Sequence, residues 1–187
     1  MGVFISDDAG ASWTPMNPHL LDDRWINALA VSPDYASDHT IFAVSSDIVY
    51  KASAPLFDWV PLAAGLGWGQ VTALAISPSY TSDQTILAAT YLGAIYRSTA
   101  GGISWTALWN GLPSTYIPIL AISPSFAADH TIFAGTPARG IYVSRNGSAT
   151  WQVLPGDYGG PNMQWLAISP SFANDRTRSP VQGRCQG

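Results

Sequence analysis

Residues 6–13 read SDDAGASW, and the same frame returns as STAGGISW at 98–105 and SRNGSATW at 144–151. ASAPLFDW at 52–59 is an eroded copy. The four segments end on Trp13, Trp59, Trp105 and Trp151, each 46 residues after the last. A second signature keeps nearly the same step: LAVSPDYASDHTIFA (29–43), LAISPSYTSDQTILA (74–88), LAISPSFAADHTIFA (120–134) and LAISPSFANDRT (166–177). Self-similarity at a period in the forties marks a solenoid, propeller or array, in which a single unit cannot bury its own hydrophobic face.

Within one period the chain breaks into four short runs. In the second unit these are VTALAIS (71–77), TILAAT (85–90), AIYRS (94–98) and WTAL (105–108), and the other units match run for run. The runs are rich in β-branched and aromatic residues and are bounded by Gly, Pro, Asp and Ser, which is the signature of strands joined by turns. Four strands per 46 residues describe a propeller blade. The pattern therefore predicts an all-β fold, a β-propeller of four-stranded antiparallel blades. The first strand of each unit, Ala-rich and apolar on both faces, is expected to be buried on both sides.

Residues 1–177 divide into a partial blade at 1–16, whole blades at 26–62, 71–108 and 116–154, and a partial blade at 164–177. An irregular tail, 178–187, follows. The tail reads RSPVQGRCQG where the repeat calls for an apolar second strand. That departure favours a piece of a larger propeller over two half-blades closing a small ring. Open blade edges of this kind invite self-association.

Composition narrows the function. Charged residues are 11% of the chain, against about 25% in a usual globular protein. All twelve acidic residues are Asp, Lys51 is the only lysine, and the net charge is −4. Without a basic cluster no nucleic-acid partner is expected. No run of 18 apolar residues occurs, so no membrane-spanning helix is expected. The lone Cys185 says little about redox compartment.

Segment 6–13 fits S-x-D-x-G-x-[ST]-W in full, and on this motif and its copies the chain resembles the Asp-box, or bacterial neuraminidase repeat, propellers. These include sialidases, sortilin-type receptors and photosystem II assembly-factor propellers. The resemblance implies that each box is the hairpin loop between a blade's third and fourth strands. Its structural positions here are Ser6, Asp8, Gly10 and Trp13, then Trp59, then Gly102 and Trp105, then Asn146 and Trp151. The Asp position reads Asp8, Ala54, Ala100 and Asn146 while the tryptophan never changes, so packing is the common role and a metal role is not expected. Each tryptophan is expected to insert between neighbouring sheets. Asp38, Asp83, Asp129 and Asp175, each two residues before a strand-leading position, are expected to cap turns. His39 and His130 are expected on solvent-facing turns.

Sialidases use a Tyr nucleophile activated by Glu, an Asp acid/base and three arginines. This chain has no Glu, and its seven arginines fall at unrelated repeat positions. No catalytic residue and no cofactor is expected. The reading is a non-catalytic binding or scaffold propeller module of a secreted or surface protein, placed outside the cell, on its surface or in the periplasm. The alternative is a sialidase-like glycoside hydrolase whose catalytic residues lie outside this chain. Loops from fourth strand to next first strand vary, yet each puts an aromatic before the inner strand: Trp25, Trp68, Tyr116 and Trp165. With Arg24 and Gln70 beside them, these are the candidate contacts for a glycan or protein ligand.

Overall fold

The computed structural model describes residues 2–16, 25–54, 58–62, 65–67, 69–108, 110–113, 115–137, 139–156, 163 and 165–172. A short hairpin comes first, Phe4–Ile5 (β1) with Thr14–Pro15 (β2). Three four-stranded antiparallel sheets follow. The first holds Ala28–Val31 (β3), Ile41–Ser45 (β4), Ile48–Ala52 (β5) and Val60–Pro61 (β6). The second holds Val71–Ile76 (β7), Ile86–Thr90 (β8), Ile95–Ser98 (β9) and Thr106–Ala107 (β10). The third holds Ile119–Ile122 (β11), Ile132–Thr136 (β12), Gly140–Ser144 (β13) and Gln152–Val153 (β14). In every sheet the strands lie side by side in chain order. This meander places the turns 1–2 and 3–4 at one end of each sheet. The turn 2–3 and the crossing to the next sheet lie at the other end.

The Ser-Pro signature folds into a compact knot that the sequence showed only as a turn. Each first strand ends just before its Ser-Pro, since proline offers no ladder donor. A single helical turn follows: Tyr35–Asp38 (α1), Tyr80–Asp83 (α2) and Phe126–Asp129 (α3). The aspartate closing each turn accepts from the buried serine hydroxyl and from the Thr amide that opens the second strand. The distances are 2.6 and 2.8 Å at Asp38, 2.5 and 2.8 Å at Asp83, and 2.6 and 2.8 Å at Asp129. The expected turn caps are thus present at these three; Asp175 lies outside the described residues. His39, Gln84 and His130 then take left-handed backbone, φ 47, 50 and 49°. His39 is half-buried, its ring nitrogen 2.6 Å from the Tyr35 carbonyl oxygen, whereas His130 is exposed.

The sheets stack face to face because each strand is apolar at alternate positions on both faces. On β8, Ile86 and Ala88 pack toward the first sheet, and Leu87 and Ala89 toward the third. On β4, Ile41 and Ala43 meet Val3 and Met16 of the hairpin, while Phe42 and Val44 meet the second sheet. Beyond the third sheet, Met163, Leu166, Ile168 and Phe172 cover Phe133, Ile141 and Val143. The second strand of every sheet is buried throughout, whereas the first strand is not. Leu29 and Val31 are 53% and 54% exposed. This corrects the expectation of a doubly buried first strand. The correction is sharpest at β3; β7 and β11 are buried to half-buried, with Leu74, Ile76, Leu120 and Ile122 packed on the sheet before.

Trp59, Trp105 and Trp151 lie buried between sheets at 5%, 7% and 4% exposure. Trp59 and Trp105 donate their indole N–H to carbonyls 43 residues earlier, Met16 at 3.3 Å and Leu62 at 3.1 Å. Among the described residues the Trp151 indole N–H finds no acceptor. Trp13 is 62% exposed. It corrects the expectation of an inserted ring, because among the described residues no sheet packs on its side of the hairpin. Gly65 and Gly111, also 46 apart and both at φ 89°, lie against the backbones of Trp105 and Trp151, where a Cβ would collide.

Candidate functional site

At the 3–4 end, the box turn is a self-contained hydrogen-bond cage. Asp8 accepts from Ser12 N at 2.8 Å, Ser12 Oγ at 2.6 Å and Ser6 Oγ at 2.8 Å, and Gly10 N donates to Ser6 Oγ at 2.7 Å. These donors, Ser12 foremost, hold the Asp8 carboxyl at about 2, well below its ordinary 3.8. Asn146 repeats the arrangement, accepting from Ser144 Oγ at 2.9 Å and Thr150 N at 3.0 Å. Where Ala100 stands, the Ser98 hydroxyl supplies the side-chain bonds of the turn, accepting from Gly102 N at 2.8 Å and Ala100 N at 3.1 Å. The serine at the head of the motif is therefore the shared hydrogen-bonding element. Gly10 and Gly102 serve the turn through left-handed backbone, φ 91 and 92°.

Most carboxylates of the described residues are committed in this way. Asp8, Asp38, Asp83 and Asp129 hold turns, and Asp34 accepts from Ser37 Oγ at 3.2 Å. Two of the cations are committed too. Lys51 Nζ stands 3.4 Å from Tyr80 Oη and 5.9 Å from the Phe42 and Tyr80 ring centroids. Arg97 donates to the Gly147 carbonyl of the next sheet. Burial, with the Asp38 charge second, pushes the Tyr80 phenol up to about 12. Among the described residues no group of three or more His, Cys, Asp or Glu could hold a metal ion. No helix among them is long and apolar enough to cross a membrane.

The opposite end carries the exposed aromatics. Trp25, Gln70 and Tyr116 occupy one repeat position, four residues before Leu29, Leu74 and Leu120. Trp25 is 74% exposed and Tyr116 is 39% exposed. Tyr116 does not stand alone: its ring centroid is 5.2 Å from that of Tyr91, tilted 41°. Tyr91 and Leu92 form the β8–β9 turn and are 56% and 63% exposed. The turn is tied to the incoming chain, for Tyr91 N donates to the Gln70 carbonyl at 2.8 Å. Gly93, at φ 86°, lets Pro113 and Thr115 lie directly on this turn; a Cβ there would strike their backbones. That contact sets Tyr116 against Tyr91. The result is an exposed apolar patch shared by two sheets, with Gln70 exposed at its foot.

The other candidate contacts are placed differently. Trp68 and Arg24 lie outside the described residues. Trp165, 41% exposed, occupies the repeat position of Ala28, Ala73 and Ile119, one residue before the leucine that opens the repeat signature. The sequence reading missed Tyr91 and Leu92, although an aromatic and a leucine in a two-strand turn were a legible signal: the matching turns read SSD and TPAR. It also missed the inner-strand ties. Asn27 Nδ2 donates to the Val71 carbonyl at 3.3 Å, and Thr72 Oγ1 to the Ile117 carbonyl at 2.7 Å, from one repeat position in successive sheets.

No protein-family model matches the chain, and no curated protein matches it in sequence. Its structure is similar to that of an ancestral GH74 enzyme, with a TM-score of 0.69 and 22% identity over 90% of this chain and 23% of that one. It is also similar to a GH74 enzyme of Niastella koreensis, with a TM-score of 0.68 and 20% identity over 90% of this chain and 28% of that one. The WD40 repeats of RRP9 match at a TM-score of 0.54 and 18% identity, over 70% of this chain and 38% of theirs. The chain thus spans about a quarter of the GH74 enzymes it matches. The fold is a β-propeller arc of four-stranded blades.

Proposed function

We propose that this chain is part of a non-catalytic binding or scaffold propeller of the Asp-box kind, in a secreted or surface protein. Its ligand, a glycan or a peptide, sits on the Tyr91–Tyr116 patch. The observation that carries this reading is the patch itself: two tyrosines and Leu92, all exposed, joined across neighbouring blades and footed by Gln70. Exposed apolar groups beside polar ones mark an interaction surface. Flat rings with hydroxyl tips suit sugar faces and peptide side chains alike. The Asp-box assignment is supported by the cages around Asp8 and Asn146.

The test is a panel of soluble glycans and peptides read by tyrosine and tryptophan fluorescence. A hit should weaken about tenfold on Tyr91→Ala or Tyr116→Ala, as loss of one aromatic contact implies. A hit that survives the double substitution would place the site elsewhere. The second reading, a hydrolase propeller with catalytic residues outside this chain, is favoured by the likeness in fold to the GH74 enzymes. It expects turnover of a glycan by the longer protein, abolished by single carboxylate substitutions outside residues 1–187.

A further inference from the structure

Of the asparagines in the chain, only Asn110 and Asn146 precede a glycine. That pairing is chemically labile. The next amide nitrogen can attack the side-chain carbonyl carbon, and glycine has no Cβ to obstruct the approach. The fold treats the two pairs in opposite ways. Asn146 stands at the aspartate position of its box with its amide engaged. Its Oδ1 accepts from Ser144 Oγ at 2.9 Å and Thr150 N at 3.0 Å, and its Nδ2 donates to Thr150 Oγ1 at 2.8 Å. Gly147 is buried; its N–H donates to the His130 carbonyl at 3.0 Å, and its own carbonyl accepts from Arg97. Asn110 and Gly111, by contrast, are both exposed, in the turn that leads from β10 toward β11. Among the described residues no hydrogen bond holds the Asn110 side chain or the Gly111 N–H. The main chain of the same pair is a joint between blades. The Asn110 carbonyl accepts from Trp151 N at 3.0 Å, and Gly111 lies so close to the Trp151 carbonyl that a Cβ would collide with it.

We propose that Asn110–Gly111 is a modification site, at which the chain deamidates and loosens the contact between the second and third blades. Gly111 N, its proton passing to solvent hydroxide, attacks Asn110 Cγ and forms a C–N bond. The Cγ–Nδ2 bond breaks and Nδ2 leaves as ammonia, which closes a cyclic succinimide. Water then opens the ring at one of its two carbonyls. The net change is amide plus water to carboxylic acid plus ammonia. Opening at Cγ gives aspartate in an unaltered main chain. Opening at the main-chain carbonyl gives isoaspartate, in which the chain runs through Cβ and Cγ and gains a methylene. The carbonyl that received the Trp151 N–H is then a free carboxylate, no longer bonded to Gly111, and Gly111 loses its register on Trp151. Either product also puts a negative charge into a loop, 110–119, that carries none. At Asn146 the same chemistry waits on the opening of the box cage.

Incubation of the folded chain in mildly alkaline buffer, followed by peptide mapping in a mass spectrometer, tests the proposal. Acid should accumulate at residue 110 at least about tenfold faster than at residue 146, because ring closure at Asn146 must first break two or more hydrogen bonds. In urea, with the fold lost, the two sites should convert at similar rates. Asn110→Gln, which cannot close the same small ring, should remove the product and leave the circular dichroism spectrum unchanged. Thr150→Ala, which frees Asn146 Nδ2, should speed conversion at Asn146. The isoaspartyl fraction, separated by chromatography, should unfold at a lower urea concentration than the unmodified chain. Equal rates at the two sites in the folded chain, or a faster rate at Asn146, would overturn the proposal. So would a folded chain that keeps Asn110 intact under conditions where the unfolded chain converts it. An isoaspartyl chain as stable as the unmodified one would overturn the role of the pair as a joint.

Discussion

The residue that best defines the box turn is the serine at its head, with the aspartate adding a charge to a turn that forms without it. Asp8 still leaves a pH signature. Its carboxyl titrates at about 2 in the folded chain, below the ordinary 3.8. A depressed acid contributes stability above the unfolded value and loses it as pH falls through the folded one. The hairpin turn should therefore loosen between about pH 4 and pH 2, followed by carboxyl and amide chemical shifts of residues 6–12. Asp8→Asn should flatten that window while keeping the turn, as Asn146 does at the equivalent place. The tryptophans allow a second comparison. Trp105→Phe deletes a made hydrogen bond and Trp151→Phe does not, so the first should cost about 1 kcal/mol more in denaturant unfolding. Equal losses would mean that the Leu62 contact adds nothing to packing.

Among the elements, the Ser-Asp-Thr knot between first and second strands is the most regular piece of the molecule. It repeats three times with the same donors and acceptors. Ser77 is fully buried, and Asp83 is its acceptor. Asp83→Ala should leave that hydroxyl and the Thr85 amide unsatisfied at a cost of about 1–3 kcal/mol, read as a lower urea midpoint. Asp34→Ala should be nearly neutral, because Asp34 is exposed and holds one exposed hydroxyl. The knot was half legible: the recurring Asp and Thr announced a cap. The helical turn inside it was hidden, because four residues are too short to show a helical period. The paired tyrosines of the rim were hidden for a different reason. Tyr91 and Tyr116 belong to different blades, and only the stacking of sheets brings them to 5.2 Å.

Among the described residues the core clusters join each blade to its neighbours, so stability should accumulate blade by blade. Protection against amide exchange should be greatest in β8, which has a complete blade on each side, and least in β1–β2, where Trp13 is exposed. Exchange read by mass spectrometry checks this order. Uniform protection across the arc would show a single cooperative unit instead.

The sequence by itself determined the blade: its four strands, its period, the tryptophans at 59, 105 and 151, and the turn chemistry at Asp38, Asp83 and Asp129. All of these are local patterns of residue type repeated at one spacing, and hydrophobic periodicity reads them directly. Only the tertiary structure decided which copies of a position are covered. Trp13 matches Trp105 in sequence, and Leu29 matches Leu74, yet the first of each pair is open and the second packed. Burial belongs to the neighbour as much as to the residue. A repeat sequence gives every copy the same face but cannot say which faces have another sheet against them.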